Sequence, residues 1–357
     1  MQRCDNISKL QELDMDSNTR RQIAHWLMIC CAMVFATLVV GGVTRLTHSG
    51  LSIVEWQPLI GALPPLNAAE WNEVFLKYQQ TPEFLKVNHG MNLDEFKTIF
   101  YWEYLHRLLG RGIGLVFLLP FLYFLLRRKI DRTLAPKLIG MFLLGGLQGA
   151  MGWYMVKSGL VDDPRVSQYR LTAHLGLAFV IFAAMAWVAL GLLAERKKSL
   201  ASESPALRVA QAQASGLLLL VFVMVLSGGL VAGLHAGLTY NSFPLMHGYF
   251  IPPDIFMLEP RYLNFFNNPG TVQFDHRLLA WLLIILLPLF WFRTRKLSLT
   301  PRARMATHGL LAVFVLQIAL GISTLLLVVP VHLAATHQAG AMVLFATLLW
   351  LNHELRV

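Results

Sequence analysis

Four histidines stand at matching depths in this sequence. His106, His174, His276 and His337 each lie within about two helical turns of one end of a long apolar run. A single histidine at such a place is usually an interfacial polar residue. Four at related positions in so apolar a chain need a common reason. Neutral imidazole ligates iron, copper or zinc, but no Asp, Glu or Cys cluster accompanies these four to close a zinc tetrahedron. Two histidines on different helices of a four-helix bundle suit axial ligation of a heme held between them. The expected pairs are His106 with His174 and His276 with His337, which makes two heme sites.

Two further residue types bear on that chemistry. Glu103 precedes His106 by three residues, so both share one helical face. The equivalent position in the second half is Gln273. A carboxylate beside a heme ligand can move protons or stabilise positive charge, and at the membrane edge it costs roughly 1–3 kcal/mol. One half therefore reads as equipped for chemistry and the other for electron handling. Arg107 and Arg277 follow the two histidines directly. A guanidinium there could pair with heme propionates or anchor the helix at the interface, and the two readings stand level.

The elements that carry these residues are membrane spans. Of 357 residues, 56% are hydrophobic and only 14% charged, against about a quarter charged in soluble domains. That excludes a soluble globular enzyme and a disordered tail protein. Runs of about 20 apolar residues, enough to cross a bilayer, occur at 22–43, 102–126, 137–156, 171–194, 214–236, 276–292, 304–329 and 331–352. The last two are parted at Val329-Pro330-Val331-His332, where the proline breaks the helix. The first run lacks a small-x-small cleavage pattern and does not read as a signal peptide.

The spans repeat. Gly41-Gly42 and His48-Ser49-Gly50-Leu51 close span one, and Gly228-Gly229 and His235-Ala236-Gly237-Leu238 close span five, 187 residues later. His106-Arg107-Leu108-Leu109 and His276-Arg277-Leu278-Leu279 open spans two and six. Gln148-Gly149-Ala150-Met151-Gly152 in span three matches Gln317-Ile318-Ala319-Leu320-Gly321 in span seven. Four spans return the chain to its starting side, so the repeat is parallel. The expected fold class is all-α: a polytopic membrane protein of eight transmembrane helices in two parallel-repeated four-helix bundles. The expected domains are a tail (1–21), an N-terminal bundle (22–194), a linker (195–213) and a C-terminal bundle (214–357).

The formal charge of +10 invites a nucleic-acid reading, which the placement of charge removes. Nineteen of the thirty Lys and Arg lie in the N-terminal tail, after spans two, four and six, and at Arg356. The positive-inside rule then puts both termini in the cytoplasm and the heme sites toward the outer face. Residues 44–101 and 237–275 form long outer loops, and long loops are more often functional than short ones. Helical stretches are expected at Ala69–Tyr78, with a capped start around Asn67, and at Leu93–Phe100. The three cysteines, Cys4, Cys30 and Cys31, all lie in the first 31 residues. The two within span one read as packing residues.

From about Ala24 to Asn352 the chain resembles the heme A synthases of the long-loop type seen in proteobacteria and mitochondria. The resemblance rests on Gly41-Gly42-Val43-Thr44-Arg45-Leu46-Thr47 through Gly50-Leu51-Ser52 to Trp56, on Lys86-Val87-Asn88-His89-Gly90-Met91, on Trp102-Glu103-Tyr104-Leu105-His106-Arg107-Leu108-Leu109-Gly110-Arg111, and on Gln148 through Leu160. It implies oxidation of the C8 methyl of heme O to a formyl group, by two hydroxylations and loss of water, giving the heme A of cytochrome oxidases. It also implies that His276 and His337 hold a resident b-type heme, that His106 and His174 hold the substrate heme, and that Glu103 is catalytic. The setting it implies is the cell inner membrane, with a heme O synthase and cytochrome oxidase assembly factors as protein partners. Some bacterial members carry a cysteine pair in the first outer loop; residues 44–101 contain none. The rival readings are a bis-histidine b-type cytochrome taking electrons from quinol, which leaves the Glu103/Gln273 asymmetry unexplained, and a transporter, which calls for mid-membrane charges that the spans lack.

Overall fold

The computed structural model describes residues 15–55, 60–157, 159–160, 164–194 and 204–356. Cys4, Trp56, most of the N-terminal tail and residues 195–203 of the expected linker lie outside them. Among the described residues there are eleven α-helices: α1 (Ser17–Leu46), α2 (Ala68–Gln79), α3 (Pro82–Lys86), α4 (Leu93–Leu126), α5 (Ala135–Lys157), α6 (Gln168–Leu193), α7 (Pro205–Gly233), α8 (Asn264–Asn267), α9 (Pro269–Thr294), α10 (Pro301–Leu326) and α11 (Val331–Glu354). Eight of these, all but α2, α3 and α8, are long and apolar enough to cross a membrane. The chain is a multi-pass all-α membrane protein.

Polar caps set the helix starts. Asp16 accepts the Thr19 amide, Asn92 and Glu95 form a reciprocal capping box, and Ser204, Asn268 and Thr300 cap α7, α9 and α10, each with proline in the first turn. Residues 205–213, inside the expected linker, are thus the first turns of α7. The loop helix predicted near Asn67 is α2, where Asn67 accepts the Glu70 amide. The helix predicted at Leu93–Phe100 is not separate. It forms the outer turns of α4, which at 34 residues is about 51 Å long and outreaches the roughly 30 Å hydrocarbon layer. Span seven ends at Leu326, before Pro330. The chain turns through Val328 and Val329, both at positive φ, and Pro330 becomes the cap of α11.

Helix packing repeats with the sequence. In the first half α1 and α5 each pack on α4 and α6; in the second, α7 and α10 each pack on α9 and α11. The halves meet through α6 on α7, α1 on α11, and α6 on α11 between them. This pattern has a pseudo-two-fold axis running beside α6 and α11. One continuous apolar core crosses it, with Leu27, Cys30, Phe179, Met185, Leu217, Leu287, Met342 and Leu348 buried. Cys30 and Cys31 are both buried, unbridged packing residues, as expected.

The first outer loop has a core of its own. Trp71, Tyr78, Phe84, Phe96, Ile99 and Phe100 are buried together, with Tyr78 and Phe96 ring centroids 5.0 Å apart and Trp71 and Phe100 also 5.0 Å. Aromatic packing, worth about 0.5–1.5 kcal/mol per pair beyond burial, holds this cysteine-free loop on the outer turns of α4.

Candidate functional site

Each of the four histidines lies against a glycine of the neighbouring helix. A Cβ built at Gly41 in α1 would come within 2.6 Å of His106 Cε1 on α4, and one at Gly152 in α5 within 3.1 Å of His174 on α6. In the second half, Gly228 in α7 meets His276 on α9 at 3.4 Å, and Gly321 in α10 meets His337 on α11 at 2.9 Å. Within each bundle the histidines sit on one diagonal pair of helices and the glycines on the other. The His106 and His174 rings lie within electrostatic range of each other, and so do those of His276 and His337. The glycines appeared in the sequence only as repeat markers. Their role is close approach: a helix without a side chain at that point lets the Cε1 corner of an imidazole come up against its backbone.

Hydrogen bonds fix which ring nitrogen is free. His106 Nδ1 is 3.2 Å from the Thr37 carbonyl, one turn before Gly41. A carbonyl only accepts, so Nδ1 carries the proton and Nε2 keeps its lone pair. His276 Nδ1 is 2.8 Å from Ser227 Oγ, and Ser227 Oγ is 2.8 Å from the Met224 carbonyl. The serine proton goes to that carbonyl, so His276 Nδ1 donates to Oγ and its Nε2 is again free. On α6 and α11, Gln148 and Gln317 each donate to a histidine's own carbonyl, that of His174 and of His337, at 3.0 Å. Among the described residues no group of three His, Cys, Asp or Glu could hold a metal ion by itself. A pair of imidazoles instead suits an ion that brings four donors with it, as a porphyrin iron does.

Glu103 is buried, 2% exposed. One oxygen accepts Ser52 Oγ at 2.7 Å and the Ile53 amide at 2.8 Å; the other accepts Arg107 at 2.6 and 3.1 Å. Arg107 also donates to the Ile53 carbonyl at 3.0 Å. In the second half Arg277 donates to the Tyr240 carbonyl at 2.7 Å and the Ser242 carbonyl at 2.9 Å, while Gln273 donates to Tyr240 at 3.1 Å. Each arginine thus fastens the loop after the first span of its half, but only the first half adds a carboxylate.

Where the halves meet, His48 and His235 stack at 5.4 Å with ring planes 11° apart. Both have positive φ and end their helices. Arg45 reaches across to the Ala232 carbonyl at 3.1 Å and to His235 Nε2 at 2.8 Å. Burial, then the Arg45 charge, pushes His235 down to about 4, so it accepts this bond as a neutral ring.

A family model described as cytochrome oxidase assembly protein matches residues 24–349. The chain belongs to this family. Among its relatives, the heme A synthase of Nitrosospira multiformis is 63% identical over 97% of both chains. The heme A synthases of Nitrosomonas eutropha and Paramagnetospirillum magneticum are 58% and 50% identical, each over 96% of both chains. Similarity of this extent covers all eight spans and both outer loops.

Proposed function

We propose that this chain is a heme A synthase, an oxidoreductase that converts the C8 methyl of heme O to the formyl group of heme A. Relatives of that name match along nearly its whole length. The single observation that carries the reading to the site is the pairing of two alike histidine sites with one unlike neighbour. Glu103 stands one turn from His106, where Gln273 stands from His276.

In this reading His276 and His337 hold a resident b-type heme through Nε2, and that heme supplies one-electron transfer when bound. His106 and His174 hold the substrate, heme O. The four glycines let the imidazoles lie close to the helix backbones, and the Thr37 carbonyl and Ser227 hydroxyl keep Nε2 of His106 and His276 unprotonated toward the iron. Glu103, held by Arg107, Ser52 and the Ile53 amide, keeps a fixed negative charge one turn from the substrate site. We assign it stabilisation of positive charge developing on the substrate. Arg107 and Arg277 hold the loops over the two sites, within the region where heme propionates would reach the outer face.

The basic residues that follow the even-numbered spans support a reading with both termini in the cytoplasm and the histidines toward the outer face, in the cell inner membrane. Heme O reaches such a protein from the enzyme that makes it, and heme A leaves toward cytochrome oxidase assembly. Pigment extraction tests the function. A strain lacking the protein accumulates heme O and loses heme A, and unchanged heme A overturns the reading.

A further inference from the structure

The histidines on α4 and α9 sit in equivalent places, yet their Nδ1 partners differ. Arg45 and Ala232 are 187 residues apart and close the same turn of α1 and α7. The same offset relates Thr37 to Met224, and Val40 to Ser227. The carbonyl of residue 37 or 224 is therefore the final acceptor in both halves. His106 reaches it directly at 3.2 Å. His276 reaches it through an inserted hydroxyl, with two contacts of 2.8 Å. In the first half the position of that hydroxyl belongs to valine, which has no donor or acceptor in its side chain.

We propose that Ser227 is a positioning residue for His276, fixing its ring plane and setting how strongly its Nε2 donates electrons to the resident heme iron. This rests on the heme reading above. The Nδ1–H of a metal-bound imidazole loses part of its proton density to a good acceptor, and the ring becomes a stronger ligand. A stronger ligand favours ferric over ferrous iron and so lowers the reduction potential. Ser227 Oγ is a good acceptor because its own proton is committed to the Met224 carbonyl. The short relay also holds the ring at Nδ1 and leaves Nε2 as the nitrogen that would meet the iron. His106 has a longer bond and no relay, so the two sites of one protein differ in ligand strength with the same ligand type.

The experiment is potentiometric titration, with electron paramagnetic resonance of the low-spin ferric heme, on the purified full-length protein. Ser227→Ala is expected to raise the midpoint potential and displace the largest g value. Ser227→Thr, which keeps the hydroxyl, restores both, and Ser227→Cys, whose sulfur is a weak acceptor of similar size, falls between. A Ser227→Ala protein with wild-type potential and g values overturns the proposal. A wild-type protein with no bis-histidine heme signal overturns the heme reading instead, so the two failures are told apart.

Discussion

Arg107 grips one oxygen of Glu103 with two of its nitrogens, at 2.6 and 3.1 Å, from one turn further along α4. The other oxygen is taken by Ser52 and Ile53 from the loop after α1. The side chains are 17% and 3% exposed, so this ion pair is largely out of water. It joins α4 to the loop after α1 at the histidine site of one half only.

Replacing Glu103 separates its chemical from its structural part. Glu103→Gln, which copies Gln273, should abolish heme A formation while a bound b heme persists in difference spectra. Glu103→Ala should do the same and also destabilise the protein, by up to about 3 kcal/mol, because the half-buried Arg107 loses its carboxylate and keeps only the Ile53 carbonyl. Extracted pigment and thermal melts of the detergent-solubilised protein separate the two effects. Heme A at wild-type level in either variant removes Glu103 from the chemistry.

The ligand assignment predicts a division between halves. His276→Ala and His337→Ala should each remove the resident heme spectrum. His106→Ala should leave it in place and stop conversion of heme O. A normal spectrum in His276→Ala refutes that assignment.

Glycine substitutions test the close approach. Gly321→Ala sets a methyl carbon 2.9 Å from His337 Cε1, so the ring must shift and heme occupancy should fall several-fold. Gly309→Ala in the same helix meets nothing within 4 Å and should add roughly 0.5–1 kcal/mol of helix stability. Equal heme content in the two variants would count against the packing argument.

Glu83 gives a pH dependence. Burial, then the nearby Glu103 charge, pushes its carboxyl up to about 8, against the opposing pull of the Tyr78 hydroxyl and Arg45. Because the folded value lies above the ordinary one of about 4.3, the folded loop binds more protons than the unfolded loop between them. Its contribution to stability is complete below that lower value and is lost as pH rises through about 8. Hydrogen exchange across residues 68–100, corrected for intrinsic rate, should therefore speed up between pH 5 and 9. Glu83→Gln should flatten the change; a wild-type slope in that variant assigns the dependence elsewhere.

The spans and their repeat were legible in the sequence because bilayer thickness dictates run length and because His106 and His276 carry the same flanking residues. The ends of the elements were less legible. Leu93–Phe100 read as a loop helix because its charged residues broke the apolar run. In the fold the same stretch buries Phe96, Ile99 and Phe100 against α2 and α3, so α4 continues without a break. The immediate partners of the histidines were hidden for another reason. The Thr37 carbonyl is backbone and leaves no mark on residue type, and Ser227 resembles any small residue of a span. Glu83 lay in a loop whose own core only the folded structure assembles.

The axis between α6 and α11 has one more consequence. Two identical four-helix chains associating about such an axis would be bound by symmetry to carry two glutamates or two glutamines at the place of Glu103 and Gln273. Joining both units into one polypeptide lifts that constraint. Each half keeps the same histidine cradle, and the residues around it are free to diverge.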